Sequence, residues 1–546
     1  MSLSGIGVSP GVVVGEVHRI VHVNVTVPVP GTLATVLTAL NDVASDLEQR
    51  AEHIDLEIAK EVLSAQAMIA RDPSLEEALS GLLVSDTNYA DVRPAINEAF
   101  AGFRNALLSL GGYFAERVAD LDEIAQRTVV RLSGLEVADV ALTKPSIVIA
   151  EDLTPADTAA LDLNFALALV VEKGGPTSHT AIVARGLGIP AIVGCAGALE
   201  IAASTQVLVD GRDGVVLVEP SDDEIATRQN REALLRVRAD SVSGPGRLAD
   251  GTPILLMGNA GNESDALSAV AVGAEGIGLF RTELLFLDRQ TEPSVDDQVL
   301  MYRAVFDACD GRKVIVRTLD AGSDKPVPFL NAMDEENPAL GVRGWRLTRI
   351  ADDVLDRQLQ AIGIAASQSA AEVWVMAPMI DTPQEAAQFA SRARSHGISQ
   401  VGVMIETPAA ALLADKVLAE VDFASLGTND LTQYVMAADR LDSRLSDLTS
   451  SWHPAVLRAI ALAAQAAQEQ GKPIGVCGES AANPKLAAVL LGIGVTSLSM
   501  APSALAEVRG YLAGLDLAAC HKAAQAALNA TSADDARQQV TAILGD

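Results

Sequence analysis

The sequence predicts a multidomain α/β protein: a C-terminal TIM-type (β/α)8 barrel, preceded by an N-terminal swivelling α/β domain with an inserted helical bundle. Three observations lead there. Eight short strand-like runs alternate with helical patterns across residues 251–546, the rhythm of a β/α barrel. Between about Thr32 and Leu132 apolar residues recur at three and four, which is helical periodicity. That helical block is flanked on both sides by β-rich sequence. The 546 residues exceed what one core normally serves. An apolar content of 49% with only 3% aromatics suits close-packed helices and parallel strands.

The first strand is expected within residues 1–20, over Gly11 to Ile20. Three or four helices then run to about Leu132, with Asp72-Pro73-Ser74 as a break and cap. From about Lys144 the runs PSIVIAEDLTP, ALALVVEKGG, AIVG and TQVLVDGRDGVVLVEP are short and β-rich, separated by glycine-containing turns. Residues 1–20 and 133–220 are therefore expected to form one α/β domain, interrupted by the helices of residues 21–132. Residues 221–250 read as a charged, exposed helix followed by a Ser-Gly-Pro-Gly joint, hence a linker. The barrel strands are ILLMG, GIGLFR, VIVRTLD, VWVMAPM, GVMIE, FASLG, PIGVCGE and SLSMAPS, filling residues 251–546.

Forty basic residues against seventy-one acidic give a net charge of −31, which repels nucleic acid and anionic membrane over most of the surface. An anionic ligand must meet a locally basic site, while the diffuse acidity also serves solubility. The cysteines Cys195, Cys309, Cys477 and Cys520 form no CxxC pair, so neither a zinc knuckle nor a disulfide framework is expected, and a reducing compartment fits. The N-terminus carries no basic-then-apolar signal, and no apolar run approaches the roughly 20 residues of a membrane helix. A cytoplasmic protein is the expectation, without membrane insertion.

Polar residues fall at the C-terminal ends of the barrel strands, where barrel enzymes keep their chemistry. Arg281 and Glu283 follow the second strand, Arg317 and Asp320 the third, Glu406 the fifth, Asn429 and Asp430 the sixth, Cys477 and Glu479 the seventh. Arg281 and Arg317, with Arg343 and Arg440, offer forked donors for a small multiply charged anion; surface ion pairing is the plain alternative. Glu406 and Asp430 offer hard oxygens suited to Mg2+, against a helix-capping role for Asp430. Cys477, between a valine and a glycine at a strand end, is either a tuned proton donor or an inert buried thiol. Lys325, in AGSDKP, is either a mobile cation over the site or a solvated lysine.

The segment EKGGPTSHTAIVARGLGIPAIVG places a turn at Gly174-Gly175-Pro176, capping hydroxyls at Thr177 and Ser178, and His179 at the start of an amphipathic helix. A phosphoryl group on that imidazole would meet free backbone N–H donors and the positive end of the helix dipole. The alternative is a capping or solvent-facing histidine.

With GGPTSHTAIVARGLGIPAIVG, GLFRTELLFL, VIVRTLD, MIETPAAALLAD and SLGTNDLTQYVMAADR in this order, nearly the whole chain resembles enzyme I of the bacterial phosphoenolpyruvate-dependent sugar phosphotransferase system. The resemblance implies that His179 is the phosphorylated histidine and that Arg281, Arg317, Asn429 and Arg440 bind phosphoenolpyruvate. It further implies Mg2+ on Glu406 and Asp430, protonation of the enolate by Cys477 to give pyruvate, docking of the phosphocarrier HPr on the helical subdomain, and a homodimer formed through the barrel. Pro176, Ser323 and Ala424 depart from the family pattern without touching a proposed catalytic atom. A pyruvate phosphate dikinase or phosphoenolpyruvate synthase would need an ATP-binding module, and residues 1–150 contain no glycine-rich phosphate cradle. An inactive or regulatory paralogue is the other alternative.

Overall fold

The computed structural model describes residues 2–20, 25–52, 57–110, 118–134, 142, 144–153, 157, 165–175, 179–286, 289, 291–321, 327–330, 335, 337–440, 442, 445 and 448–545. They form two compact units, Met1–Glu232 and Ala233–Asp546.

In the first unit, strands β1 (Ser2–Ser4), β2 (Ile6–Ser9) and β3 (Val12–Ile20) precede a run of helices, and β4 (Ser146–Ala150), β5 (Ala166–Val171), β6 (Ala191–Val193), β7 (Gln206–Asp210) and β8 (Val215–Val218) follow it. All eight join one sheet in the order β1-β8-β7-β3-β4-β5-β6-β2. β3 runs parallel to β4, from Glu16 opposite Ser146 to Ile20 opposite Ala150, and antiparallel to β7. The strand made before the helices is thus the sheet's centre. β4 reads as an unbroken apolar run because both faces are covered: Ile147 and Ile149 enter one core, Val148 and Ala150 the other.

The inserted helices are α1 (Leu33–Glu52), α2 (Glu57–Ala70), α3 (Pro73–Leu82), α4 (Arg93–Leu110) and α5 (Val118–Leu132). Among the described residues these are five, where the periodicity predicts three or four. The break expected at Asp72-Pro73-Ser74 is present: the Asp72 side chain accepts from the Ser74 N–H at 2.8 Å and Pro73 opens α3. Leu47, Leu63, Leu79, Phe100 and Ile124 give the helices a core of their own.

A further helix, α6 (His179–Leu187), crosses between the parallel strands β5 and β6 and buries Ala181 and Ala184 against the sheet. α7 (Asp222–Ser241) has three acids in its first turn, and Ser221 and Glu224 cap it reciprocally. Its first half is pinned to the sheet, because fully buried Asp210 at the end of β7 accepts from Arg228 at 2.5 Å and Arg231 at 3.1 Å.

In the second unit, β9 (Leu255–Ala260), β10 (Gly276–Arg281), β11 (Lys313–Arg317), β12 (Glu372–Ala377), β13 (Val401–Ile405), β14 (Phe423–Gly427), β15 (Ile474–Cys477) and β16 (Ser497–Met500) close into an all-parallel barrel, with β16 pairing back onto β9. The helices are α8 (Glu263–Ala271), α9 (Val295–Ala308), α10 (Asp352–Ser367), α11 (Pro383–Ser395), α12 (Pro408–Leu412), α13 (Ala414–Glu420), α14 (Thr428–Met436), α15 (Pro454–Glu469), α16 (Glu479–Ala482), α17 (Pro484–Ile493), α18 (Pro502–Leu512), α19 (Leu517–Asn529) and α20 (Ala533–Leu544). Five of them start on proline, whose missing N–H costs nothing there.

Strand parity sorts the barrel residues. Val314, Val316, Val401, Val403, Leu426, Val476 and Leu498 face the helices, whereas Ile315, Trp374, Met376, Met404, Phe423 and Cys477 fill the interior. Among the described residues no helix is long and apolar enough to cross a membrane.

Replacing Asp210 by alanine leaves Arg228 and Arg231 beside a buried hole. The expected loss is about 3–5 kcal/mol from the first unit, read as a lower denaturation midpoint with the second unit's transition unchanged.

Candidate active site at the barrel mouth

Parity also delivers the site. On β11 the inward column is Lys313, Ile315, Arg317; on β14 it is Phe423, Ser425, Gly427; on β15 it is Gly475, Cys477; and on β13 it continues past the strand from Met404 to Glu406. Each column finishes in a polar group, or in a glycine that makes room for one. Arg281 and Arg317 end neighbouring strands in register.

The charges form a chain. Arg317 donates to Glu283 Oε1 at 2.7 Å and lies 3.2 Å from Asp320 Oδ2. Arg343 grips Asp320 with two donors, at 3.1 and 2.7 Å, and reaches Asp430 Oδ1 at 2.8 Å. Arg440 donates to Asp430 Oδ2 at 3.2 Å. Burial opposes the charge on Arg317 and Arg343, but Glu283 and Asp320 around the first, and Asp320 and Asp430 around the second, win and hold both pKa values above the ordinary guanidinium range. Asp430 therefore serves as an ion-pair centre; the N-cap of α14 is Gly427, without a side-chain cap. Arg281, by contrast, carries no ion pair among the described residues and is only half-buried. The loops are clamped by buried Gln358, which accepts from the Leu319 N–H at 2.9 Å and donates to Thr282 at 3.1 Å.

Glu406 is the anomaly. It is fully buried, and burial, then repulsion from Asp430 and Asp320, push its pKa up to about 8 against the pull of Arg343 and Arg317. Oε1 accepts from the Met379 N–H at 2.7 Å, while Oε2 has no hydrogen-bond partner among the described residues. Met379 holds a left-handed backbone, φ 58°, to aim that N–H. Gly427 leaves the space open: a Cβ there would lie 2.7 Å from Glu406 Oε2. An unpartnered, buried carboxylate oxygen near a second carboxylate fits a hard divalent cation. Mg2+ is such an ion, one that keeps several waters and substrate oxygens beside one or two carboxylates.

Cys477 is buried, accepts from Ser425 Oγ at 3.2 Å, and lies 3.6 Å from the Leu426 carbonyl. Burial pushes its thiol up, opposed by the Ser425 hydrogen bond and by Arg317, so near neutrality it holds its proton. Cys195, Cys309 and Cys520 are also buried, and burial raises each to about 11, yet they sit in apolar cores away from the mouth. Gly478, φ 133°, lets the turn after Cys477 approach Thr428 and Asn429: a Cβ there would lie 2.9 Å from Thr428 Oγ1 and 3.4 Å from Asn429 Oδ1.

The structure thus gathers Arg281, Arg317, Glu406, Asn429, Asp430, Arg440 and Cys477 at one barrel end, together with Arg343. His179 belongs to the other unit, as the first residue of α6. Its side chain, and the expected turn and caps at Pro176, Thr177 and Ser178, lie outside the described residues, as do Ser323 and Lys325. Sequence reasoning missed Ser425, Gln358 and Met379. Ser425 was detectable as a polar residue at an inward position of an apolar strand; the other two depend on tertiary contacts and a backbone angle.

Fold and mouth together define a (β/α)8-barrel enzyme whose pocket is built for a compact polyanion. Three family models match in order: the PEP-utilising enzyme N-terminal domain over residues 4–117, the mobile domain over 142–214, and the PEP-binding domain over 236–517. A phosphoenolpyruvate-protein phosphotransferase of Streptomyces coelicolor is 45% identical, over 100% of this chain and 99% of that one. Those of Haloferax volcanii (39%, over 91% of this chain and 88% of that one) and Bacillus subtilis (34%, over 94% of each) are also similar. The chain belongs to the phosphoenolpyruvate-protein phosphotransferase family, enzyme I.

Protonated Glu406 adds stability to the metal-free protein that is fully present below the ordinary carboxyl value of 4.5 and is lost as pH rises through about 8. Glu406→Gln, neutral throughout, is expected to flatten the fall in melting temperature over that window. Parallel curves for the two proteins would remove the assignment.

Proposed function

We propose that this chain takes the phosphoryl group of phosphoenolpyruvate onto His179 and passes it to the phosphocarrier HPr, the first step of phosphotransferase-system sugar uptake. The observation carrying this reading is the mouth itself, where buried Glu406 keeps an unpartnered oxygen beside an arginine chain and a protonated thiol. Family membership supports it.

Arg281, without an ion pair among the described residues, is the available cation for the substrate, and Arg317, Arg440 and Asn429 surround it. Arg317 is held on two sides by Glu283 and Asp320 and stays oriented before substrate arrives. Glu406 and Asp430 would hold Mg2+, on which the family generally depends; bound there, it would neutralise charge on the transferring phosphoryl group. Neutral imidazole of His179 attacks phosphorus, the bridging P–O bond breaks, and the enolate of pyruvate leaves. The Cys477 S–H then gives its proton to the enolate's terminal carbon, producing pyruvate.

His179 and the mouth lie in different units, and the imidazole would visit both the mouth and the carrier. The hinge would lie within Ser221–Gly246, C-terminal to the part of α7 that Asp210 pins. The helices α1–α5, with a core separate from the sheet, would form the HPr-docking subdomain. The barrel unit would dimerise, and the protein would work in the cytoplasm with its soluble carrier.

Incubation with phosphorus-labelled phosphoenolpyruvate and Mg2+ is expected to put acid-labile, alkali-stable label on the parent, none on His179→Ala, and HPr should remove it. No label on the intact parent would favour an inactive regulatory protein. Cys477→Ala should still accept label while pyruvate formation falls by about 10²–10⁴-fold, the usual worth of a general acid; an unchanged rate would release Cys477 from that role.

A further inference from the structure

The end of the barrel opposite the mouth holds a cavity of about 180 Å³. Its existence follows from the inward columns. A β/α barrel is normally filled by side-chain layers, but here Gly278, Gly475, Ser425, Ser497 and Ser499 stand where larger side chains would pack. A Cβ on Gly475 would lie 2.4 Å from Ser497 Oγ, and one on Gly278 would lie 2.6 Å from Ser499 Oγ, so these layers leave no room for ordinary filling next to the serines. The rim is wet: Pro473 and Thr496 are exposed, and Lys313, Gly475 and Ser497 are partly so. Hydroxyls and an ammonium in a space of this size hold several waters, since each needs about 30 Å³ and two to four polar partners. Ser425, which is buried, both lines this cavity and donates to Cys477 Sγ at 3.2 Å. The sulfur at the mouth is therefore joined to the chamber through the Ser425 hydroxyl.

We propose that the cavity is the solvent proton inlet of the enzyme, reloading Cys477 from the end of the barrel away from the substrate. This rests on Cys477 being the acid of the reaction proposed above. After the S–H proton has gone to carbon, the Ser425 hydroxyl passes its proton to the thiolate and takes another at the same oxygen from a cavity water. The hydroxide so formed takes a proton from hydronium or buffer acid at the rim. One solvent proton is consumed for each pyruvate, and the arginine-lined mouth can stay closed on the substrate throughout. Arg317, Glu406 and Arg281 bear on the thiol from the ends of β11, β13 and β10, but all three lie on the mouth side.

Phosphorylated enzyme should exchange the methyl protons of pyruvate with D2O while interconverting pyruvate and phosphoenolpyruvate, and the two rates can be read together by NMR. Ser497→Leu fills the chamber two layers from the sulfur, and Ser425→Ala cuts the link without filling it. Both are expected to lower methyl deuteration at least tenfold relative to interconversion, with first-turnover labelling of His179 unchanged in Ser497→Leu. Undiminished deuteration in both variants would overturn the inlet and send the proton through the mouth. Undiminished deuteration in Cys477→Ala would instead overturn the acid assignment, separating the two failures.

Discussion

A chain of ion pairs, from Glu283 through Arg317, Asp320, Arg343 and Asp430 to Arg440, holds the barrel mouth in shape. None of its buried members could stay charged alone, since a single ion moved out of water costs several kcal/mol. Each guanidinium instead meets carboxylate oxygens at 2.7–3.2 Å. The chain crosses from the end of β10 to the end of β14, so it forms only when the barrel has closed. Its contribution is orientation more than stability: donors and acceptors are fixed before any ligand enters.

Glu406 departs from that pattern, and the departure gives the site its electrostatic bias. With its pKa pushed up to about 8, Glu406 adds little negative charge near neutrality beside Arg281, Arg317, Arg343 and Arg440. Within a chain of formal charge −31 this tempers the acidic field at the mouth, where a small anion can be held. Binding a divalent cation at Glu406 would require the carboxyl to release its proton, coupling metal affinity to pH.

Below the mouth the barrel is unevenly filled. One side carries Trp374 packed on Phe423, with ring centroids 4.7 Å apart and the Lys313 ammonium 3.4 Å from the Trp374 ring. Facing them, Gly278, Gly475, Ser425, Ser497 and Ser499 stand among Leu255 and Met257 and leave a cavity. Layers this asymmetric forgo some packing energy. What they gain is polar continuity from Cys477 through Ser425 into the interior.

Much of this was legible in the sequence. Alternating runs determined the eight barrel strands, and an apolar stretch such as SIVIA announced a strand covered on both faces. Arg281, Arg317, Glu406, Asp430 and Cys477 were found because strand ends are local features, as was His179 at a helix start. The break at Asp72-Pro73 was legible too, because a capping aspartate followed by proline is a local signal, whereas the number of inserted helices was underestimated. Tertiary structure alone decided the rest. The left-handed backbone of Met379, the clamp of Gln358 and the pairing of Arg343 with both Asp320 and Asp430 join residues far apart in the chain. The unpartnered oxygen of Glu406 is likewise a property of a closed barrel. Sequence specifies which groups reach the mouth, through strand parity and strand ends; which of them are satisfied, charged or left waiting is set by three-dimensional burial and neighbours, and no local pattern encodes those.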